Sequence, residues 1–219
     1  MGHSPNHGGV VGSNDSNGPQ AAGVFGISSG SGPGVVGQSE HEAGVRGTST
    51  QGTGVVGIGG TFAAQFAGKV QVQGDIEITA GHDLILDGAD YAEALTADDG
   101  DIAAGCVVVL GPDGDVRRCS REYDTAVAGI VSGAGGVKPA LVLDRHVGSV
   151  NVALMGKVWC LADAGPAPIH PGDLLTTSST VGHSRRVSEP DRAFGTVIGK
   201  ALTQLDKGRG LIRVLVSPR

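Results

Sequence analysis

The sequence predicts an all-β protein: a trimeric, triple-stranded β-helical stem followed by a compact β-barrel or sandwich head with an internal duplication. Three observations carry that reading. A Gly-Val-x-Gly motif recurs five times in the N-terminal part, short apolar runs with turn punctuation fill the chain after residue 105, and no segment has a helical apolar period.

Composition divides the chain. Of the first 60 residues 18 are Gly, and only Asp15, Glu40, Glu42 and Arg46 carry a charge. Nearly all larger apolar groups follow Phe62, so only the later part can build a core. Residues 1–8 are expected to be a flexible N-terminus, 9–88 the stem and 89–219 the head. The net charge of −6 argues against nucleic-acid binding, which needs a basic surface to displace counterions from phosphates. No apolar run of 18 residues is present, so membrane insertion is not expected. The N-terminus, Met1-Gly2-His3-Ser4-Pro5, lacks a basic region followed by an apolar run, and no signal peptide is read there. Cys106, Cys119 and Cys160 are odd in number and unpaired in spacing. They read as reduced, buried thiols of a protein made in a cytoplasm and released by lysis or within a particle.

In the stem, Gly-Val-x-Gly begins at Gly9, Gly23, Gly34, Gly44 and Gly54. The fixed valines (Val10, Val24, Val35, Val45 and Val55) are expected to face a common axis. The third position (Val11, Phe25, Val36, Arg46 and Val56) falls on the opposite side of a pleated strand. One buried Val contributes about 1.5–3 kcal/mol. Ordering the backbone of its repeat costs about 1–2 kcal/mol per residue. A single chain loses that contest; several chains burying their valines together narrow the deficit, and three is the natural number for a slender fibre. The alternative is a flexible Gly/Ser-rich linker. Collagen is excluded because the glycines lack a three-residue period.

The register then changes. Phe62-Ala63-Ala64-Gln65-Phe66 forms a small aromatic plug, and Val70, Val72, Ile76, Ile78, Leu84 and Leu86 alternate up to Asp87-Gly88. The repeats together with Phe62 through Ile76 resemble the triple-stranded β-helical stems of bacteriophage tail fibres and related bacterial fibre proteins.

Asp90-Tyr91-Ala92-Glu93 follows. This run is similar to the start of the self-cleaving chaperone domains that end phage neck appendages and some tail spikes. The resemblance implies that Asp90 and Glu93 match acidic residues of autoproteolysis at the 88–93 junction. Two close carboxylates split their pKa values and divide acid and base roles. The aromatic segment usual after that motif is missing, since Ala94-Leu95-Thr96 stand there. The competing structural reading makes Asp90 the cap of a short helical turn over Tyr91–Leu95.

In the head, strands are expected at 106–110, 116–119, 127–131, 140–143, 150–161, 173–177, 184–187, 196–202 and 211–216. Gly111-Pro112-Asp113-Gly114-Asp115 marks a hairpin. Two stretches read as copies, about 105–133 and 172–201. They align Arg117-Arg118 with Arg185-Arg186 and Gly129 with Gly195, and are expected to pack face to face.

Catalytic and ligand signatures are sparse. His82, His146, His170 and His183 are scattered, with no intrachain metal spacing, although a trimer axis would gather three copies of any one of them. No serine sits in a nucleophile elbow, and no glycine string lies between a strand and a helix. No cofactor is expected. Asp163, Asp173 and Asp191 read as solvated turn carboxylates in preference to calcium or sugar ligands. Trp159, the only Trp, reads as core. The chain is expected to be a non-enzymatic structural component of a phage or phage-tail-like particle, partnered by its own copies and by particle or baseplate proteins. The alternatives are a self-cleaving chaperone and an adhesive module for cell-surface glycans.

Overall fold

The computed structural model describes residues 12–14, 22–98, 100–145 and 149–217. The chain forms two units, Met1–Ile76 and Glu77–Arg219, whereas the sequence reading placed the end of the stem at 88. The expected flexible N-terminus and Val10 fall outside the described residues.

The described residues of the first unit form neither helix nor strand, and all of them are exposed. The expected triple-stranded β-helix is therefore not formed within one chain. The physical reason lies in the repeats: each offers one extended Gly-Val-x-Gly segment and too few apolar groups to hold a sheet of its own.

The described residues of the second unit form ten strands: β1 (Asp90–Thr96), β2 (Val107–Leu110), β3 (Val116–Arg118), β4 (Val127–Val131), β5 (Leu141–Leu143), β6 (Ser149–Asp163), β7 (Leu174–Thr177), β8 (Ser184–Arg186), β9 (Val197–Ala201) and β10 (Arg209–Val216). Two single 3-10 turns, Ala134–Gly136 and Pro190–Arg192, are the only helical segments among the described residues. β2 through β10 match the nine expected strands to within one or two residues. β1 stands where the alternative reading put a capped helical turn. Tyr91-Ala92-Glu93-Ala94-Leu95 extends because it gains partners on both edges, β5 in parallel and β6 antiparallel.

The duplication is visible in the pairing. β2 pairs β3 and β4 as β7 pairs β8 and β9, all antiparallel. Val108 faces Arg118 and Leu175 faces Arg186, so the two arginine pairs correspond as expected. Gly129, however, faces Val108 as Gly199 faces Leu175, so its counterpart is Gly199, not Gly195. A register shift follows each of these contacts, between Val108 and Val109 and between Leu175 and Thr176. The bulge is common to both copies; the alignment slips because the connection from β8 to β9 (187–196) is longer than that from β3 to β4 (119–126).

The repeat is larger than the two predicted copies. β6–β10–β9–β7–β8 closes on itself, the ring completed by the parallel contact of Ala162 with Ser184. In the first half β6, β4, β2, β3 and β1 follow the same order, and the parallel bridge of Ala97 with Val116 closes them. Each copy thus borrows a half of β6 and closes its own five-stranded ring, and the copies also pack on each other, with Val107 and Val109 of the first in one core cluster with Leu175 and Ile198 of the second. The interiors correspond too: Val108, Val116 and Val152 in the first ring match Leu175, the fully buried Ser184 and Val214 in the second. β2 is buried on both sides, Val108 toward the first interior and Val107 and Val109 toward the cluster that fills the second. Asp90 and Val216 both pair with Gly156, so β1 and β10 flank β6 on opposite edges at its centre.

Candidate functional site

In the first unit, the glycines are seats. A Cβ on Gly26 would stand 2.8 Å from the Gly34 carbonyl oxygen, and one on Gly34 equally close to that of Gly26. Gly44 with Gly37 (2.8 Å) and Gly54 with Gly47 (3.0 Å) repeat the contact. The last Gly of one motif therefore lies against the first Gly of the next, closer than any side chain allows. A Cγ2 methyl of the following Val (Val24, Val35, Val45 or Val55) covers the last Gly of the motif before it. That seat explains why the Val holds one frame. The intervening loops are tied by serines: Ser39 Oγ accepts the Glu42 N–H at 3.1 Å, and Ser49 Oγ accepts the Gly52 N–H at 3.0 Å.

Seated in this way, the valines still present most of their surface. Val24, Val35, Val45 and Val55 are 67–73% exposed, and Phe25, Phe62 and Phe66 are 72–78% exposed. No backbone–backbone hydrogen bond links described residues before the His82 N–H to Thr79 contact. Extended backbone and large apolar side chains are thus unpartnered together over the same stretch. Exposing such a surface to water is costly.

At the junction, β1 carries both predicted acidic residues but on opposite faces. Asp90 lines up with buried Ala92 and Ala94, while Glu93 lies with Tyr91 and Leu95 on the other face. One chain therefore does not assemble them into a carboxylate pair. Asp90 is buried (4% exposed), its Oδ1 accepts the Ser132 hydroxyl at 2.9 Å, and its Oδ2 has no partner among the described residues. Burial pushes the Asp90 carboxyl above its ordinary value, and the Ser132 hydrogen bond offsets only part of that rise.

The remaining candidates serve as structural ties. Burial raises the Asp163 carboxyl, but hydrogen bonds from Thr180 and the Gly165 N–H, with Arg209 nearby, outweigh it and hold the group below its ordinary value. Asp173 accepts the His170 N–H at 2.8 Å, and Asp191 lies in the exposed Pro190–Arg192 turn. No group of three His, Cys, Asp or Glu among the described residues is placed to hold a metal ion, and His146 lies outside them. All three cysteines are buried thiols outside any disulfide, as expected; burial drives the thiols of Cys119 to about 11 and Cys160 to about 12. Trp159 departs from the core reading. It is half-buried, covered by Gly135 on the 3-10 turn, with the Arg213 guanidinium 5.9 Å from its ring centre.

The sequence reading missed Tyr123. Its φ of 52° is unusual for a non-glycine, and its hydroxyl accepts the N–H groups of Ser188 and Glu189 at 2.9 and 3.0 Å. Arg192 lies 4.3 Å from its ring centre, and the adjacent Glu122 pairs with Arg185. This loop fastens the first copy to the second. Arg-Glu-Tyr-Asp between two strands was the available signal, since a lone aromatic in a charged loop needs a partner.

No family model matches the chain, and no curated protein matches it. Among the described residues no helix is long and apolar enough to cross a membrane.

Proposed function

We propose that the chain is a structural subunit of a fibre or appendage on a phage or phage-tail-like particle. Three copies wind their Gly-Val-x-Gly regions together, and the C-terminal head brings them into alignment. The observation that supports this reading most is the coincidence, over one repeating segment, of valines 67–73% exposed with backbone lacking any backbone partner. Neighbouring copies supply both needs at once, since identical repeats present identical rows of apolar groups and backbone donors. The head contributes by holding three chain ends together, which raises their local concentration and shortens the search for pairing. The opposed faces of Asp90 and Glu93 favour this structural role over self-cleavage within one chain.

Light scattering on the full chain tests the proposal. A trimer mass supports it. A monomer overturns it and leaves the first 76 residues as a linker carrying a stand-alone head.

A further inference from the structure

The stem repeats carry a hazard that their own regularity creates. Gly34, Gly44 and Gly54 begin motifs ten residues apart, so copies displaced by one repeat still set Gly against Gly and Val against Val. Apolar packing alone scarcely distinguishes that slipped arrangement from the aligned one. One repeat differs from the others. Arg46 takes the third position where Phe25, Val36 and Val56 stand in neighbouring repeats. The loop just before it, residues 38–43, carries Glu40 and Glu42. The loops on either side, residues 27–33 (Ile-Ser-Ser-Gly-Ser-Gly-Pro) and 48–53 (Thr-Ser-Thr-Gln-Gly-Thr), carry no charge.

Arg46 is exposed, and no ion pair joins it to a described residue of its own chain. Glu40 approaches only its neighbour His41, at 3.9 Å, with both side chains 90% exposed. The Glu42 backbone is tied to Ser39, which holds the loop while leaving its carboxylate outside that bond. Both charge signs are therefore present in one repeat, yet they do not satisfy each other within one chain.

We propose that Arg46 of one copy pairs with the Glu40/Glu42 loop of a neighbouring copy and fixes the register of the stem, an inference that rests on the multichain reading above. In aligned copies the loop and the arginine of adjacent chains share a level, and each cation meets an acidic loop. A shift of one repeat in either direction brings Arg46 to a neutral loop and leaves the glutamates opposite a neutral loop without a counter-charge. The charged repeat thus acts as a register mark among interchangeable apolar ones. A single polar position plays this part in helical assemblies, where it raises specificity at some cost in stability.

The test uses two full-length variants, one acidic (Arg46→Glu) and one basic (Glu40→Arg with Glu42→Arg), refolded separately and as an equimolar mixture. The readout is the rate of proteolysis within residues 22–76. Each variant alone is expected to be cut about tenfold faster than the parent, and the mixture to recover to within about twofold, because the opposite charges then meet across chains. Arg46→Lys, which keeps the charge, is expected to match the parent. Separate variants as resistant as the parent, or a mixture no better than its components, would overturn the register mark and leave the fibre reading standing if the parent is a trimer. A monomeric parent by light scattering overturns both.

Discussion

Gly129 and Gly199 are counterparts: each sits at the register shift of its own five-stranded ring, against the next strand of that ring, β6 for Gly129 and β10 for Gly199. A Cβ on Gly129 would stand 2.6 Å from the Ala153 carbonyl oxygen, and one on Gly199 would run into that of Leu215. Gly129→Ala and Gly199→Ala should therefore each destabilise the head by about 1–3 kcal/mol, the usual cost of overpacking a closed site. Urea unfolding followed by Trp159 fluorescence measures this. A midpoint unchanged in both variants would show that the shifts tolerate a side chain.

The stem glycines divide into seats and spacers. Gly47→Ala places a methyl against the Gly54 carbonyl and the Val55 side chain, while Gly30 has no heavy atom within 4 Å of its added Cβ. Gly47→Ala should lower the melting temperature of the assembled stem by several degrees, and Gly30→Ala should leave it within about one degree. Scanning calorimetry on the full-length variants compares them. Equal effects would mean that the contact between successive motifs does not order the stem.

Asp90 gives the head a distinctive dependence on pH. Its folded pKa is raised above the reference value of 3.8, with burial as the largest cause. The contribution of the protonated carboxyl is fully present below that reference value and is lost as pH rises through the folded pKa. Asp90→Asn retains an oxygen to accept the Ser132 hydrogen bond and removes the ionisation. Its stability relative to the parent should therefore increase as pH rises from about 4 toward neutrality. Thermal melts of both proteins across that range check the sign, and parallel curves would rule the contribution out.

The thiols should be silent in the folded protein. All three cysteines are buried, and burial holds Cys119 near 11 and Cys160 near 12, so little thiolate forms at pH 8. Iodoacetamide should label no cysteine in the native protein and all three in urea, as read by intact mass. Native labelling at Cys119 or Cys160 would contradict the packing of the second ring.

Much of the head was legible because turn chemistry brackets its strands. Gly114 has a φ of 79° in the hairpin that Gly111 through Asp115 was read to mark. β1 was harder, because Asp-Tyr-Ala-Glu-Ala-Leu-Thr is weak as a strand and extends only through neighbours contributed from far along the chain. The ring closures were equally hidden, since the bridges of Ala97 with Val116 and of Ala162 with Ser184 leave no local pattern. In the stem the repeat was plain, but the part its glycines play was not. That they are places of close approach between motifs depends on a fold-back that spacing does not reveal. Asp90 and Glu93 were paired through a resemblance to the start of chaperone domains; strand alternation separates them, where a helical turn would have brought them together.

The fifteen residues of β6 serve as a wall in both rings, with Gly156 at the crossing, where φ is +116° and a Cβ would meet Ala89 and Asp90. Ancestral copies joined by a linker could have been lost, swapped or diversified one at a time, as beads on a string. Fusion through a common strand removes that freedom. A recombination breakpoint within β6 leaves both descendants unfinished, and so does a deletion of either half. Neither ring is complete without β6, so the two halves of the head fold or fail together.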